Sequence, residues 1–189
     1  MKIVAFNGSP RPEGNIEILL NESLKPLREA GHDILLFKLN NMDFKPCQDC
    51  GGCVTTGVCI HDDAMTGIYA AIREADRIIL ASPIFFYSLS AQTKAMVDRC
   101  QAFWCEKYLL KKVIPAGPRG RKGLLLLVGG MKKEECRTTA EATAKGFFRT
   151  CSVPEHETLF FGGIDNKGDI LKHPTALKEA YEAGKRLGE

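Results

Sequence analysis

Apolar residues gather in five short runs along the chain, and stretches with helical spacing separate these runs. The runs lie at residues 2–6, 33–39, 77–81, 124–128 and 157–162. Their apolar positions are continuous rather than alternating, which is typical of strands buried on both faces. Strands of this kind that alternate with helices predict an α/β fold, in which a parallel sheet lies between two layers of helices.

Helical spacing predicts five helices, one after each strand. We expect them at 15–30, 62–74, 90–104, around 136–148 and at 174–188. Asp62 and Asp63 are residues of the type that caps a helix N-terminus, so the second helix is expected to begin there. Pro26 lacks an amide hydrogen and therefore predicts a kink or an early end in the first helix.

Size and charge narrow the function classes. With 189 residues, the chain is long enough for one domain over 1–189, with a cysteine-rich loop at 46–62. Its 26 basic and 23 acidic side chains give a net charge of +3, too mild for a nucleic-acid surface. The longest strongly apolar run is too short to cross a bilayer, and no targeting segment is recognised. We therefore expect a cytoplasmic protein without nucleic-acid or membrane partners, whose thiols stay reduced.

The segment NGSPRPEGN (7–15) joins the first strand to the first helix. Ligands of open α/β sheets bind at the carboxyl ends of strands, and a helix N-terminus attracts anions. The hydroxyl of Ser9 and the guanidinium of Arg11 would complete a phosphate site there. The spacing matches neither a Walker loop nor a dinucleotide-binding loop, so we expect a phosphate held without Mg²⁺. A plain turn rich in glycine and proline is the alternative.

The loop after the third strand is apolar and aromatic. It carries Pro83, Ile84, Phe85, Phe86 and Tyr87 at the same end of the sheet as the phosphate loop. These side chains suit a flat aromatic ligand, with backbone amides near its polar edge. A place in the core or in a subunit interface is the alternative.

Together the two loops resemble those of the flavodoxin-like NAD(P)H-dependent FMN reductase family. The family patterns GSxRxxGN and SPxYxxxxxAxxKxxxDR correspond here to GSPRPEGN (8–15) and SPIFFYSLSAQTKAMVDR (82–99). The resemblance implies a three-layer fold with sheet order 2-1-3-4-5 and a homodimer or homotetramer. It also implies an FMN site, whose expected residues are Ser9, Arg11, Gly14, Asn15, Ile16, Pro83, Ile84, Phe85, Phe86, Tyr87, Gly129 and Gly130.

Four cysteines, Cys47, Cys50, Cys53 and Cys59, follow the second strand in a C-x2-C-x2-C-x5-C pattern. The first three repeat the compact spacing of ferredoxins, which favours an iron–sulfur cluster. Zinc fits less well because structural zinc generally pairs two C-x2-C units across a longer spacer. A metal-free loop of thiols is the third possibility. Within the resembled family, the pattern is similar to the iron–sulfur flavoprotein branch, and this resemblance implies a [4Fe–4S] cluster on the four cysteines.

Three functions follow from these loops. The first is an FMN and iron–sulfur oxidoreductase that converts between two-electron and one-electron transfer, supplied by NAD(P)H or ferredoxin. The second is a cluster-free NAD(P)H-dependent FMN or quinone reductase. The third is a zinc-binding or thiol-rich module without enzymatic activity. No side chain is predicted to be catalytic, and the remaining cysteines, Cys100, Cys105, Cys136 and Cys151, are expected to be buried residues without a function.

Overall fold

The computed structural model describes residues 1–112 and 120–189. Five long strands pair in parallel, and a two-residue strand adds an antiparallel hairpin. The strands are β1 (Lys2–Asn7), β2 (Asp33–Lys38), β3 (Arg77–Phe85), β4 (Ser88–Leu89), β5 (Lys122–Gly129) and β6 (Glu155–Gly162). The parallel strands stand in the order β2-β1-β3-β5-β6, with β4 beside the end of β3. The predicted 2-1-3-4-5 order of five parallel strands is thus confirmed, and the short β4 is an addition.

Burial along the strands follows their place in the sheet. The three inner strands, β1, β3 and β5, are buried over most of their length, whereas β2 and β6 are partly exposed edges. Phe6, Leu80 and Leu126 of the inner strands are completely buried. Continuous apolar runs therefore arise because helices cover both faces of these strands.

The helices lie close to their predicted positions. They are α1 (Asn15–Glu29), α2 (Met65–Glu74), α3 (Ala91–Arg99), α4 (Gln101–Trp104), α5 (Glu134–Thr150) and α6 (Ala176–Leu187). Helix α1 continues past Pro26, so it does not end early there. Helix α2 begins at Met65 rather than at 62, and Asp63 precedes it, accepting a hydrogen bond from the Met65 amide at 3.0 Å.

The helix predicted at 90–104 is divided in the structure. It starts after Ser90, whose hydroxyl accepts a hydrogen bond from the Thr93 amide, and α3 ends at Arg99. After α4, the chain forms one π-helical turn, Cys105–Leu109. This wider turn carries Cys105 toward the cysteine-rich loop, as described below. Turns of this kind are rare and occur often at functional sites.

Two apolar cores lie on opposite faces of the sheet and make the fold a three-layer sandwich. Helices α1 and α6 cover one face, and α2, α3 and α5 cover the other. Helices α1 and α6 approach closely at Gly184, where an added Cβ would lie 1.9 Å from the Ser23 carbonyl oxygen. Within the described ranges, no helix is long and apolar enough to cross a membrane.

Candidate functional site

A cavity of about 100 Å³ lies at the carboxyl ends of β1, β3 and β5. It is lined by Ser9, Arg11, Asn15, Ile16, Pro83, Ile84, Phe85, Val128, Gly129, Gly130, Ile164 and Asp165. Most of the residues expected to contact FMN are thus brought together from three loops. Gly14, Phe86 and Tyr87 are not among the residues that line this cavity, although all three lie in the same loops.

Local hydrogen bonds shape the loop after β1. The Ser9 amide donates to Asn7 Oδ1 at 2.9 Å, and the Arg11 amide donates to Ser9 Oγ at 3.2 Å. Helix α1 has Gly14 as its N-cap, and no side chain caps its first amides. The opening amides of an α-helix have no partner within the helix. This end of α1 therefore offers free N–H donors and a positive dipole end beside Ser9 and Arg11.

Asn15 connects the loop after β1 to the segment after β6 through hydrogen bonds. Its Nδ2 donates to the Asn166 carbonyl oxygen at 2.9 Å, and its Oδ1 accepts from the Gly168 amide at 2.9 Å. Nearby, Arg11 Nη1 donates to the Asp165 carbonyl oxygen at 2.9 Å. The segment after β6 consequently forms one wall of the cavity.

Three lining residues, Val128, Ile164 and Asp165, were absent from the sequence prediction. Ile164 and Asp165 follow the last strand, β6, and so lie at the same edge of the sheet as the other loops. Their position after a strand was the available signal, because all parallel strands of the sheet end at this edge. The segment GGIDN (162–166) has neither a charge pattern nor an aromatic run to draw attention to it.

The aromatic loop after β3 is a tight hairpin. Ile84 pairs with Leu89 and Phe85 with Ser88, so Phe86 and Tyr87 form a two-residue turn. Both have positive φ angles, 47° and 64°, which correspond to the turn that suits hairpin twist but disfavours bulky residues. Phe86 is fully exposed at the tip, while Phe85 is 43% exposed at the cavity wall.

The cysteine-rich loop encloses a second, smaller cavity of about 50 Å³, which we call the thiol pocket. Its lining includes all four cysteines of the C-x2-C-x2-C-x5-C pattern together with Cys105, His61, Arg99 and Gln101. The loop packs on the π-helical turn: at Gly57, whose φ is 74°, an added Cβ would lie 2.8 Å from Glu106 Cβ. Glu106 is itself held by two hydrogen bonds from Arg73, at 2.7 and 3.2 Å.

Cys105 is a thiol of this pocket that the sequence pattern did not indicate. Its Sγ lies 3.6 Å from Cys53 Sγ, and Cys105 is buried. Burial and the hydrogen bond with Cys105 raise the pKa of the Cys53 thiol to about 11. Cys100, Cys136 and Cys151 are also buried, as predicted, but do not line the pocket. Among the described residues, no three His, Cys, Asp or Glu side chains converge closely enough to hold a single metal ion.

Two residues with nitrogen-bearing side chains, Arg99 and His61, line the thiol pocket. Arg99 is 2% exposed, and its terminal nitrogens bond to the Asp63 carboxylate and to the Lys45 carbonyl oxygen. Its Nε, and Nε2 of His61, are buried without a hydrogen-bond partner.

Comparisons with known proteins agree with this architecture. The sequence model of the NADPH-dependent FMN reductase family matches residues 1–159. A protein named iron-sulfur flavoprotein from Methanocaldococcus jannaschii is 30% identical over 195 residues, which cover 100% of this chain and 96% of the relative. Another iron-sulfur flavoprotein, from Archaeoglobus fulgidus, is 34% identical over 100% of this chain and 80% of its own length.

Solved structures with the same fold are more distant in sequence. An NAD(P)H:quinone oxidoreductase from Methanothermobacter marburgensis superposes with a TM-score of 0.73 at 18% identity, over 99% of this chain and 94% of its own. An FMN-dependent NADH-azoreductase from Bacillus anthracis, solved with FMN, superposes with a TM-score of 0.66 at 14% identity over 100% of both chains. These structures support the flavodoxin-like fold, and the family match covers the loops after β1, β3 and β5 that line the larger cavity. The chain belongs to the NADPH-dependent FMN reductase family and is an FMN-dependent oxidoreductase.

Proposed function

We propose that this oxidoreductase also holds a [4Fe–4S] cluster on Cys47, Cys50, Cys53 and Cys59, and that it converts between two-electron and one-electron transfer. The observation that carries the proposal is that all four cysteines of the pattern line one pocket. The names of the full-length relatives, iron-sulfur flavoproteins, agree with it.

The thiol pocket fits a cluster better than a single ion. A four-iron cluster binds each thiolate through a different iron, so its ligands stand farther apart than those of one zinc ion. Four cysteines around one pocket, without three side chains converging on one point, agree with that requirement. Cys50 is exposed and the other three are partly buried, so the loop is accessible for assembly of a cluster.

The larger cavity fits one end of FMN. Its volume of about 100 Å³ is below the roughly 300–1,000 Å³ of complete ligand pockets, so we propose that it takes the phosphate and the adjoining part of the molecule. Ser9, Arg11 and the amides that follow Gly14 would bind the phosphate. The Asn15 side chain already holds the 166–170 segment, so Asn15 would contribute its backbone amide. Pro83, Ile84 and Phe85 would contact the ring, beside Gly129 and Gly130.

When bound, FMN supplies hydride acceptance and a [4Fe–4S] cluster supplies single-electron exchange. The chain contributes positioning and electrostatics: phosphate donors at one end of the cavity, apolar contacts at the other, and a partly enclosed set of thiols. We propose NAD(P)H or a ferredoxin as the electron donor. Anaerobic reduction of the purified protein by each donor, followed in the visible spectrum, distinguishes them.

A cluster-free NAD(P)H-dependent reductase is the second candidate, favoured by the match to the NADPH-dependent FMN reductase family. Anaerobic purification with iron and sulfide analysis separates the two candidates. The first requires about four irons and four sulfides per chain and a broad absorption beneath the flavin bands. Cys50→Ser should remove iron and the broad absorption but leave the flavin bands. Cys136→Ser, a buried cysteine in α5, is the matched control and should retain both. Flavin bands without iron in the wild type would establish the second candidate.

A further inference from the structure

Two buried nitrogen atoms beside the thiol pocket have no hydrogen-bond partner. One is Nε of Arg99, whose side chain is 1% exposed, and the other is Nε2 of His61. Both residues line the same pocket as the four cysteines. A buried donor without a partner costs about 1–3 kcal/mol, so a ligand with acceptor atoms in this pocket would stabilise both nitrogens.

The remaining bonds of Arg99 hold its guanidinium in place. Nη1 donates to Asp63 Oδ2 at 2.7 Å and to the Lys45 carbonyl oxygen at 2.8 Å, while Nη2 donates to Asp63 Oδ1 at 3.1 Å. The Tyr69 hydroxyl donates to the Arg99 carbonyl oxygen at 2.8 Å, which fixes the backbone as well. Arg99 is thus anchored through both terminal nitrogens, and Nε is the guanidinium nitrogen that has no protein partner.

The charges around the pocket determine which kind of ligand these donors would stabilise. Asp63 already neutralises Arg99, so the guanidinium contributes mainly a directed N–H donor rather than a free positive charge. Asp49 also lines the pocket and adds a carboxylate. An anionic, thiolate-ligated centre in these surroundings is stabilised by N–H donors to sulfur. Such donors favour the reduced form, which carries one more negative charge, and they raise the reduction potential.

We propose that Arg99, supported by His61, donates hydrogen bonds to the sulfur atoms of an iron–sulfur centre held in the thiol pocket and thereby raises its reduction potential. The inference rests on the proposed cluster. Arg99 and His61 would change the reduction potential of the centre through its sulfur atoms, and neither would bind iron. The Arg99–Asp63 pair also links the end of α3 to the residue that follows the cysteine-rich loop. This link holds the Arg99 side chain at a fixed position relative to the thiols.

The test is a redox titration of the anaerobically prepared full-length protein, followed by electron paramagnetic resonance. Arg99→Lys keeps a positive charge for Asp63 but lacks the Nε–H donor, and His61→Phe keeps the ring volume without a donor. Both variants should retain iron and sulfide, and the potential of the centre should shift to more negative values. Arg186→Lys, at the exposed pair with Glu157, is the matched control and should have the wild-type potential.

The outcomes separate this inference from the proposed function. A wild type without iron and sulfide would contradict the proposed function and the inference together. Full cluster content with wild-type potentials in both variants would overturn the inference alone. If Arg99→Lys does not fold, because Asp63 loses its bidentate hydrogen-bond donor, the His61→Phe variant is the test. A more negative potential in His61→Phe supports the inference, and an unchanged potential rejects it.

Discussion

The carboxylate of Asp63 accepts hydrogen bonds from both terminal nitrogens of Arg99, at 2.7 and 3.1 Å. Burial disfavours the ionised form of Asp63, but hydrogen bonds from Arg99 and the Met65 amide outweigh it and lower the pKa below the ordinary 3.8. A carboxyl group whose pKa is lowered by folding contributes stability above its unfolded pKa, and this contribution is lost as pH falls through the folded pKa.

We therefore expect Asp63→Asn to lower the free energy of unfolding at pH 7 by about 1.5–3 kcal/mol, the usual range for hydrogen bonds to charged groups. The difference from wild type should shrink as pH falls from about 3.8, the ordinary pKa that Asp63 has in the unfolded chain, toward the lower pKa of the folded protein. Urea unfolding of both proteins between pH 3 and pH 7 measures this difference. A difference that does not change over that interval would show that ionised Asp63 contributes no stability.

Gly8 packs where no side chain fits. A Cβ at this position would lie 1.7 Å from Thr93 Oγ1, and the Ser90 hydroxyl donates to the Gly8 carbonyl oxygen. Gly8→Ala should therefore lower the free energy of unfolding by about 1–3 kcal/mol, as overpacked core variants do. Gly146→Ala in α5 has open space around the added methyl group and should gain about 0.5–1 kcal/mol. Equal stability of the two variants would contradict the close packing at Gly8.

Asn15 bonds to two backbone groups of the segment after β6, at the Asn166 carbonyl oxygen and the Gly168 amide. Asn15→Ala leaves both groups without these partners, so we expect a loss of about 1–3 kcal/mol in the free energy of unfolding. Asn40→Ala removes an exposed amide that contacts Gln92 and should change the stability by less than about 0.5 kcal/mol. Thermal and urea unfolding compare the two variants, and similar losses would argue against a special role for Asn15.

Arg11 offers a guanidinium at the open end of α1. Arg11→Ala should raise the dissociation constant of FMN about 10–100-fold, since a hydrogen bond to a charged group contributes about 1.5–3 kcal/mol. Quenching of flavin fluorescence on titration measures the constant. Arg28→Ala changes an exposed arginine in the last turn of the same helix and should bind FMN as the wild type does. Unchanged affinity in Arg11→Ala would remove this residue from the proposed phosphate site.

The hairpin turn at Phe86 and Tyr87 uses residues that its positive φ angles disfavour. Replacing the pair by Asn-Gly should raise the free energy of unfolding by about 1–2 kcal/mol, because these residues adopt such angles with little strain. Val58→Asn, at another exposed apolar side chain, controls for the loss of apolar surface and should be nearly neutral. A melting temperature that does not rise would show that the native turn carries no strain.

The layered fold could be predicted from the sequence because it follows from a pattern of apolar residues that is visible within each short segment and recurs along the chain. Continuous apolar strands require helices on both faces, and the five long strands appear where the apolar runs lie. The two loop patterns were sufficient to indicate the family, and the family match confirms it. The Ser9 loop and the Pro83 loop were also predicted to lie at one edge of the sheet, because parallel strands end together.

Contacts between distant segments were decided only by the tertiary structure. Cys105 meets Cys53 across 52 positions of sequence, since a π-helical turn after α4 carries it to the cysteine-rich loop. Asp165 reaches the larger cavity from the far end of the chain, and Phe86 is turned outward by the hairpin. A local sequence pattern indicates which secondary structure a segment prefers and which of its faces is buried. These placements depend instead on where the backbone turns in the folded chain and on which buried polar groups then need hydrogen-bond partners.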